Sequence, residues 1–250
     1  PKVVDSVVRK EESTPIADAN DVYGTTPAEA IQASDQLKWA VQHSMPACLK
    51  RQAENNPTAP ALLEKIDGVW QTTSYADFWK DTKNVSRSLL ALGLEPGDVT
   101  ASFAWNCPEW SKFDLATMSA RASTLGLYPN TSADRARYLL KLSEAKVLFV
   151  DDQEHWDTIK DVIAKVPSLE KVVVKDGVEA NHPKVMPWSQ FIEAGQRIPD
   201  SLVDKRMRDI RPTDRGCLIP TSGTSGKPKI VELSQANVAG QGKIIQEVTN

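Results

Sequence analysis

Residues 221 to 229 read Thr-Ser-Gly-Thr-Ser-Gly-Lys-Pro-Lys, a run of small, hydroxyl-bearing and conformationally free residues closed by two lysines. Such a run can wrap a polyphosphate. Glycines and small side chains leave backbone N–H groups unobstructed, hydroxyls add donors, and lysines add positive charge. Counting excludes two better-known phosphate motifs. A Walker loop carries four residues between its glycines and a Ser or Thr after its lysine. Here only Thr224 and Ser225 separate Gly223 from Gly226, and Pro228 follows Lys227. A dinucleotide fingerprint, Gly-x-Gly-x-x-Gly between strand and helix, is absent as well.

Other groups that could do chemistry are weaker. Asp151 and Asp152 are adjacent at the end of an expected strand, which invites a metal or acid-base reading; a helix start, with Asp152 as N-cap and Glu154 in the first turn, explains them better. Cys48, Cys107 and Cys217 are far apart with no Cys-x-x-Cys pair, the pattern of free buried thiols rather than of a zinc site or disulfide framework. His43, His155 and His182 form no i, i+4 pair and read as surface or satisfied core residues, so no metal site is expected. Asn106 to Trp110 could line a cleft, but a capped helix entry accounts for it. The seven tryptophans lack an accompanying basic stripe and read as core anchors, and a net charge of −3 argues against a nucleic-acid partner.

The rest of the chain must position the loop. Its 250 residues suffice for a sizeable core, and 40% hydrophobic with 25% charged residues is the balance of a soluble globular protein. With no membrane-spanning run and no secretory signal pattern, it reads as cytoplasmic. Residues 1–36 are polar and aperiodic and read as a tail, with residues 37–250 as the folded part. A helix is expected over Met45 to Asn55. Asp67-Gly68 between Pro60–Ile66 and Val69–Thr73 signals a hairpin. Ser74, with Asp77 three residues on, caps a helix that Gly93 stops.

Strands at Val99–Ala104, Ser123–Tyr128, Lys146–Val150 and Lys171–Lys175 then alternate with helices at Pro108–Arg121, Ser132–Leu142 and Gln153–Val166. Gly177 to Trp188 reads as a loop with a short hairpin, and Pro199 to Arg215 as a polar crossing. The alternation predicts an α/β fold: a layered, mostly parallel sheet with helices on both faces.

The loop resembles the phosphate signature of the AMP-forming acyl and aryl adenylating enzymes: acyl-CoA synthetases, luciferases and adenylation domains. Leu218 stands upstream, and Val231 to Asn237 is similar to the family's strand-then-helix continuation. Trp70 to Tyr75 resembles its segment leading into an early helix. Leu127 to Ser132, Tyr138 to Leu140 and Ser143 to Asp151 are similar to the long-chain fatty acid–CoA ligase branch. The likeness runs from about residue 40 to the end. Two positions depart from the pattern: Pro220 replaces an aromatic residue, and Ile230 a Gly. A solvent loop joining two strands is the bland alternative for residues 221–229; the nine-residue match and the upstream likeness outweigh it.

The resemblance implies the N-terminal portion of an adenylation domain, incomplete at its C-terminus. It implies that Thr221, Ser222, Gly223, Thr224, Ser225, Gly226 and Lys229 bind the ATP phosphates, with Lys227 as a more exposed helper. The reaction implied is ATP-dependent activation of a carboxylic acid, in this branch a long-chain fatty acid, to acyl-AMP and then acyl-CoA. ATP, Mg²⁺ and coenzyme A are the implied cofactor and co-substrates. The family's magnesium-binding acid and catalytic lysine would lie beyond Asn250. Two other readings stay open: an adenylation domain that loads another acid onto a carrier protein, and a noncatalytic binding module of the same fold. A homodimer is also left open.

Overall fold

The computed structural model describes residues 33–222 and 228–249, with side chains for 38–222 and 228–242. Most of the expected tail, and Gly223, Thr224, Ser225, Gly226 and Lys227 of the loop, lie outside the described residues.

Two helices, α1 (Ala33–His43) and α2 (Met45–Asn55), lead into an antiparallel hairpin of β1 (Pro60–Ile66) and β2 (Val69–Ser74). The α1 helix takes in the last four residues read as tail. Asp67 and Gly68 both adopt positive φ, 49° and 83°, as a two-residue hairpin turn requires. Next comes α3 (Tyr75–Ala91), capped by Ser74, whose Oγ accepts the Asp77 N–H at 3.1 Å and donates to Asp77 Oδ2 at 2.7 Å.

A seven-stranded sheet follows, built from β3 (Val99–Phe103), β4 (Ser123–Leu127), β5 (Val147–Val150), β6 (Lys171–Val174), β7 (Val185–Pro187), β8 (Arg215–Thr221) and β9 (Lys229–Ser234). Its order is β7-β6-β5-β3-β4-β8-β9, parallel throughout except for β8 with β9. The helices are α4 (Pro108–Ser119), α5 (Ala133–Ser143), α6 (Gln153–Ile159), α7 (Trp188–Ala194), α8 (Asp200–Arg208) and α9 (Gln235–Thr249).

Parallel crossovers are right-handed, so reversing the direction of travel along the sheet moves the connecting helix to the other face. The path from β3 to β4 runs one way with α4; the paths from β4 to β5 and β5 to β6 run the other way with α5 and α6. The packing agrees. Leu148 and Val150 of β5 face Leu139, Leu140, Trp156 and Ile159 in one core, while Val147 and Phe149 face Val85, Leu89, Phe113 and Phe191 in the other. Because both faces are covered, β5 and β6 read as near-continuous apolar runs.

Three local expectations give way. The helix expected to run to Val166 ends at Ile159, and a separate 3₁₀ turn at Ile163–Lys165 follows. The tightening lets adjacent Val162 and Ile163 both enter the core. The hairpin expected near 177–188 is instead the short parallel edge strand β7, anchored by buried Met186. The polar crossing contains α8, which docks through Val203 and Met207, one turn apart.

Replacing Ser74 with Ala removes the cap of α3, the helix that joins the hairpin to the sheet. Chemical denaturation should register a loss of about 1 kcal/mol; an unchanged midpoint and slope would show that the cap contributes nothing.

Candidate functional site

Strands β8 and β9 carry the loop. Their ladder runs from Arg215 opposite Ser234 to Pro220 opposite Ile230 and Thr221 opposite Lys229. The loop therefore begins and ends on a paired position. Thr221 Oγ1 lies 3.5 Å from Lys229 O, and Thr221, Ser222 and Lys229 are exposed. These three are the expected site residues that the structure describes. Since β8 is parallel to β4, it delivers the loop to the edge of the sheet where the parallel strands have their carboxyl ends.

A polar frame fixes the other end of this hairpin. Arg121 Nε and Nη2 donate to Asp214 Oδ2 and Oδ1 at 2.7 and 3.1 Å, and Arg211 N donates to the same carboxylate at 2.8 Å. Arg215 donates to Glu232 Oε1 at 3.0 Å and to Gly97 O at 2.7 Å. At the start of α9, Ser234 Oγ accepts the Asn237 N–H at 3.1 Å, and Asn237 Oδ1 accepts the Ser234 N–H at 3.0 Å. Gly216 permits the β8 backbone to approach this turn: a Cβ there would stand 3.3 Å from Gln235 Cα and N. The two departures from the family pattern fit the same frame. Pro220 and Ile230 are buried opposite one another, and Ile230 packs in the core with Leu218 without adopting positive φ.

The same edge carries a second polar cluster. Asp151 follows β5, Trp105 lies just past β3, and Tyr128 directly follows β4. Asp151 Oδ2 accepts the Trp105 backbone N–H at 2.8 Å, and Asp151 Oδ1 lies 2.6 Å from His155 Nδ1. His155 Nε2 lies 3.1 Å from Pro129 O. Asp152 Oδ1 accepts the His155 backbone N–H at 2.8 Å, so the N-cap expected of Asp152 is observed. The imidazole is 2% exposed and packs on Phe103 with 4.2 Å between ring centroids. By contrast, Trp105 and Tyr128 are 58% and 54% exposed. Asp151, Asp152 and His155 could group around a cation, their donor atoms lying within 4.8 Å of one another. The hydrogen bonds just described already engage those atoms, so the cluster serves as a clasp.

Sequence reading took His155 as a surface or satisfied core histidine and missed its contacts with Asp151 and the Pro129 carbonyl. The i, i+4 spacing of Asp151 and His155 was the available signal. A half-buried acid, Asp114 on α4, was also missed. Burial holds its carboxyl above the ordinary carboxylate range, and the hydroxyl of buried Thr124 opposes the shift through a hydrogen bond. The three cysteines are free, as expected, but half-buried rather than buried. Burial pushes Cys107 and Cys217 up to about 11; Glu109 adds to the first shift, against the Trp110 backbone N–H, and Asp114 adds to the second. Neither thiol is poised as a nucleophile at neutral pH.

Residues 49–249 match the family model described as AMP-binding enzyme. The chain is 26% identical to the long-chain-fatty-acid–CoA ligase ACSBG2 of Xenopus laevis, over 93% of this chain and 35% of that protein. It is 31% identical to the long-chain-fatty-acid–CoA ligase FadD15 of Mycobacterium bovis, over 69% of this chain and 28% of that protein. The chain thus spans about a third of the length of these curated relatives. Among solved structures, the anthranilate CoA ligase AuaEII in complex with anthranoyl-AMP superposes with a TM-score of 0.65 at 20% identity, covering 82% of this chain and 37% of that one. A putative long-chain-fatty-acid CoA ligase from Rhodopseudomonas palustris gives 0.67 at 18%, covering 83% and 49%. These structural likenesses bear out the α/β fold. Among the described residues, no helix is long and apolar enough to cross a membrane.

Asp114 sets a pH dependence. A carboxyl raised by folding is protonated in both states at low pH and costs nothing there; stability is lost as pH rises through its native value. Asp114→Asn should therefore raise Tm at neutral pH, and the gain should vanish on acidification to about pH 3, below the ordinary Asp value. A gain that is the same at all pH values would assign it to packing instead.

Proposed function

Because the chain belongs to the AMP-binding enzyme family, we propose that the protein is an AMP-forming acid–thiol ligase acting on a long-chain fatty acid. A carboxylate oxygen of the acid attacks the α-phosphorus of ATP, the bond to the bridging oxygen breaks, and pyrophosphate leaves. The thiol of coenzyme A then attacks the acyl carbon and AMP departs. The observation that carries this reading is the loop of residues 221–229, which leaves the carboxyl edge of the sheet with exposed Thr221, Ser222 and Lys229 at its base.

In this reading Thr221 and Ser222 donate hydroxyl hydrogens to the β and γ phosphates. Gly223, Thr224, Ser225 and Gly226 add backbone N–H groups, and Lys227 and Lys229 add charge. Preorganised donors of this kind stabilise the negative charge that develops on departing pyrophosphate. The charge is borne most by Lys229, held in register opposite Thr221. ATP would arrive as its magnesium complex, in which the ion neutralises part of the phosphate charge. The loop carries no carboxylate, its ammonium groups repel a cation and suit the polyphosphate, and none of its residues is assigned to Mg²⁺. A fatty acid is favoured over other acids by the two CoA-ligase relatives. Three free cysteines support a reducing compartment, the cytoplasm.

The test is acid-dependent exchange of labelled pyrophosphate into ATP by the full-length protein across fatty acids of graded chain length. Exchange driven by long-chain acids, with coenzyme A consumed on its addition, is the expected result; exchange driven by none would overturn the reading. In the same assay Lys229→Ala should slow exchange by about a hundredfold or more, the scale of losing one preorganised donor. Undiminished turnover would remove Lys229 from the site.

A further inference from the structure

In an open parallel sheet, ligands bind past the carboxyl ends of the strands, where neighbouring connections leave in opposite directions. Here that point lies between β3, whose chain moves on to β4, and β5, whose chain moves on to β6. The first polar tie across it is Trp105 N–H to Asp151 Oδ2, at 2.8 Å. Behind this tie sits one buried imidazole that contacts Asp151 through Nδ1 and the carbonyl of Pro129, beyond β4, through Nε2. A neutral ring donates to one of these acceptors, a doubly protonated ring to both. Three strand ends are thereby joined through two side chains, Asp151 and the His155 ring behind it.

We propose that His155 is a positioning residue for the acid-activating reaction, holding the loops after β3, β4 and β5 at fixed separation without touching substrate. It acts through Asp151 on the backbone of Trp105, and through Pro129 on the backbone that carries Tyr128. These two rings are the large exposed aromatics of this edge, and they leave neighbouring strands whose register pairs Phe103 with Leu127. A structural role alone would need only a ring to pack on Phe103, which phenylalanine supplies equally. The two polar contacts do something else: they span 26 residues of sequence in one direction and four in the other, and fix loop against loop. Displacement of a binding loop by about 1 Å can cost a hundredfold in rate. The phosphate loop lies on β8, beyond β4, and its frame of Arg121, Asp214 and Arg215 shares no group with this clasp.

The inference rests on the proposed reaction for its kinetic part, so the test has two arms, both on the full-length protein with His155→Phe. This change keeps a ring on Phe103 and removes both polar contacts. Hydrogen exchange followed by mass spectrometry should show the Trp105 and Thr131 segments exchanging at least tenfold faster, with β5 still protected. Unchanged exchange would overturn the clasp whatever the enzyme does. In steady state, KM for the fatty acid or for coenzyme A should rise about tenfold while KM for ATP stays within twofold. A uniform fall in kcat with every KM unchanged would reduce His155 to a structural residue. His155→Gln, whose amide can donate to one acceptor, should fall between wild type and His155→Phe in both arms, and it carries the test if the Phe variant does not fold. If exchange quickens but no acid is activated by wild type, the clasp stands and the proposed reaction falls.

Discussion

The handedness of parallel crossovers governs this molecule. Once β3 lies in the middle of the sheet and the chain steps first to one side and then to the other, α4 must cover one face and α5 and α6 the opposite face. The meeting of Trp105 and Asp151 at the carboxyl edge follows from that reversal. The reversal buries β3 completely, so the strand Val99 to Phe103, polar Thr100 and Ser102 included, has no solvent face. It also parts the connections beyond β3 and β5, opening the place where Trp105 and Asp151 meet.

The antiparallel hairpin at the far side obeys a different constraint. A parallel strand following β8 would need another crossover, whereas an antiparallel partner needs only a loop between adjacent strand ends. That loop is the one with residues suited to phosphate, and the direction of β8 delivers it to the same edge as the clasp. Two devices thus stand along one rim. The hairpin is held from its far end by charged groups that reach Gly97 and Arg121 of the loops on the opposite rim. The clasp is held from within by a buried ring.

How much of this was legible in the sequence depended on how local the cause was. The Asp67-Gly68 turn and the Ser74 and Asp152 caps are decided by immediate neighbours, and each could be read directly. α8 was hidden because it buries only Val203 and Met207, with Leu202 packed beside them, amid five charged residues of its nine. β7 was hidden because three residues carry no periodicity. The clasp was illegible in principle: Asp151 and His155 announce one another at helical spacing, but nothing in the chain announces that Pro129 completes them. Asp114 was in plain view as an acid among apolar neighbours; what sequence could not supply is that the sheet beneath it leaves it little water.

Pro220 and Ile230 show why departures from a family pattern must be weighed in place. Proline removes a backbone donor, which would break a central ladder, yet the described β4 to β8 pairing is at Thr124 with Cys217 and Leu125 with Leu218, short of Pro220. At that level β8 has β9 as its neighbour. A glycine would be needed at 230 if the backbone there turned through positive φ; it does not, and the side chain of Ile230 instead joins the core that Leu218 begins. Each change by itself looks like damage to the loop. Side by side on paired strands, they are an apolar pair buried at the base of the hairpin, so that the loop gains a seat in the core at the point where it leaves the sheet.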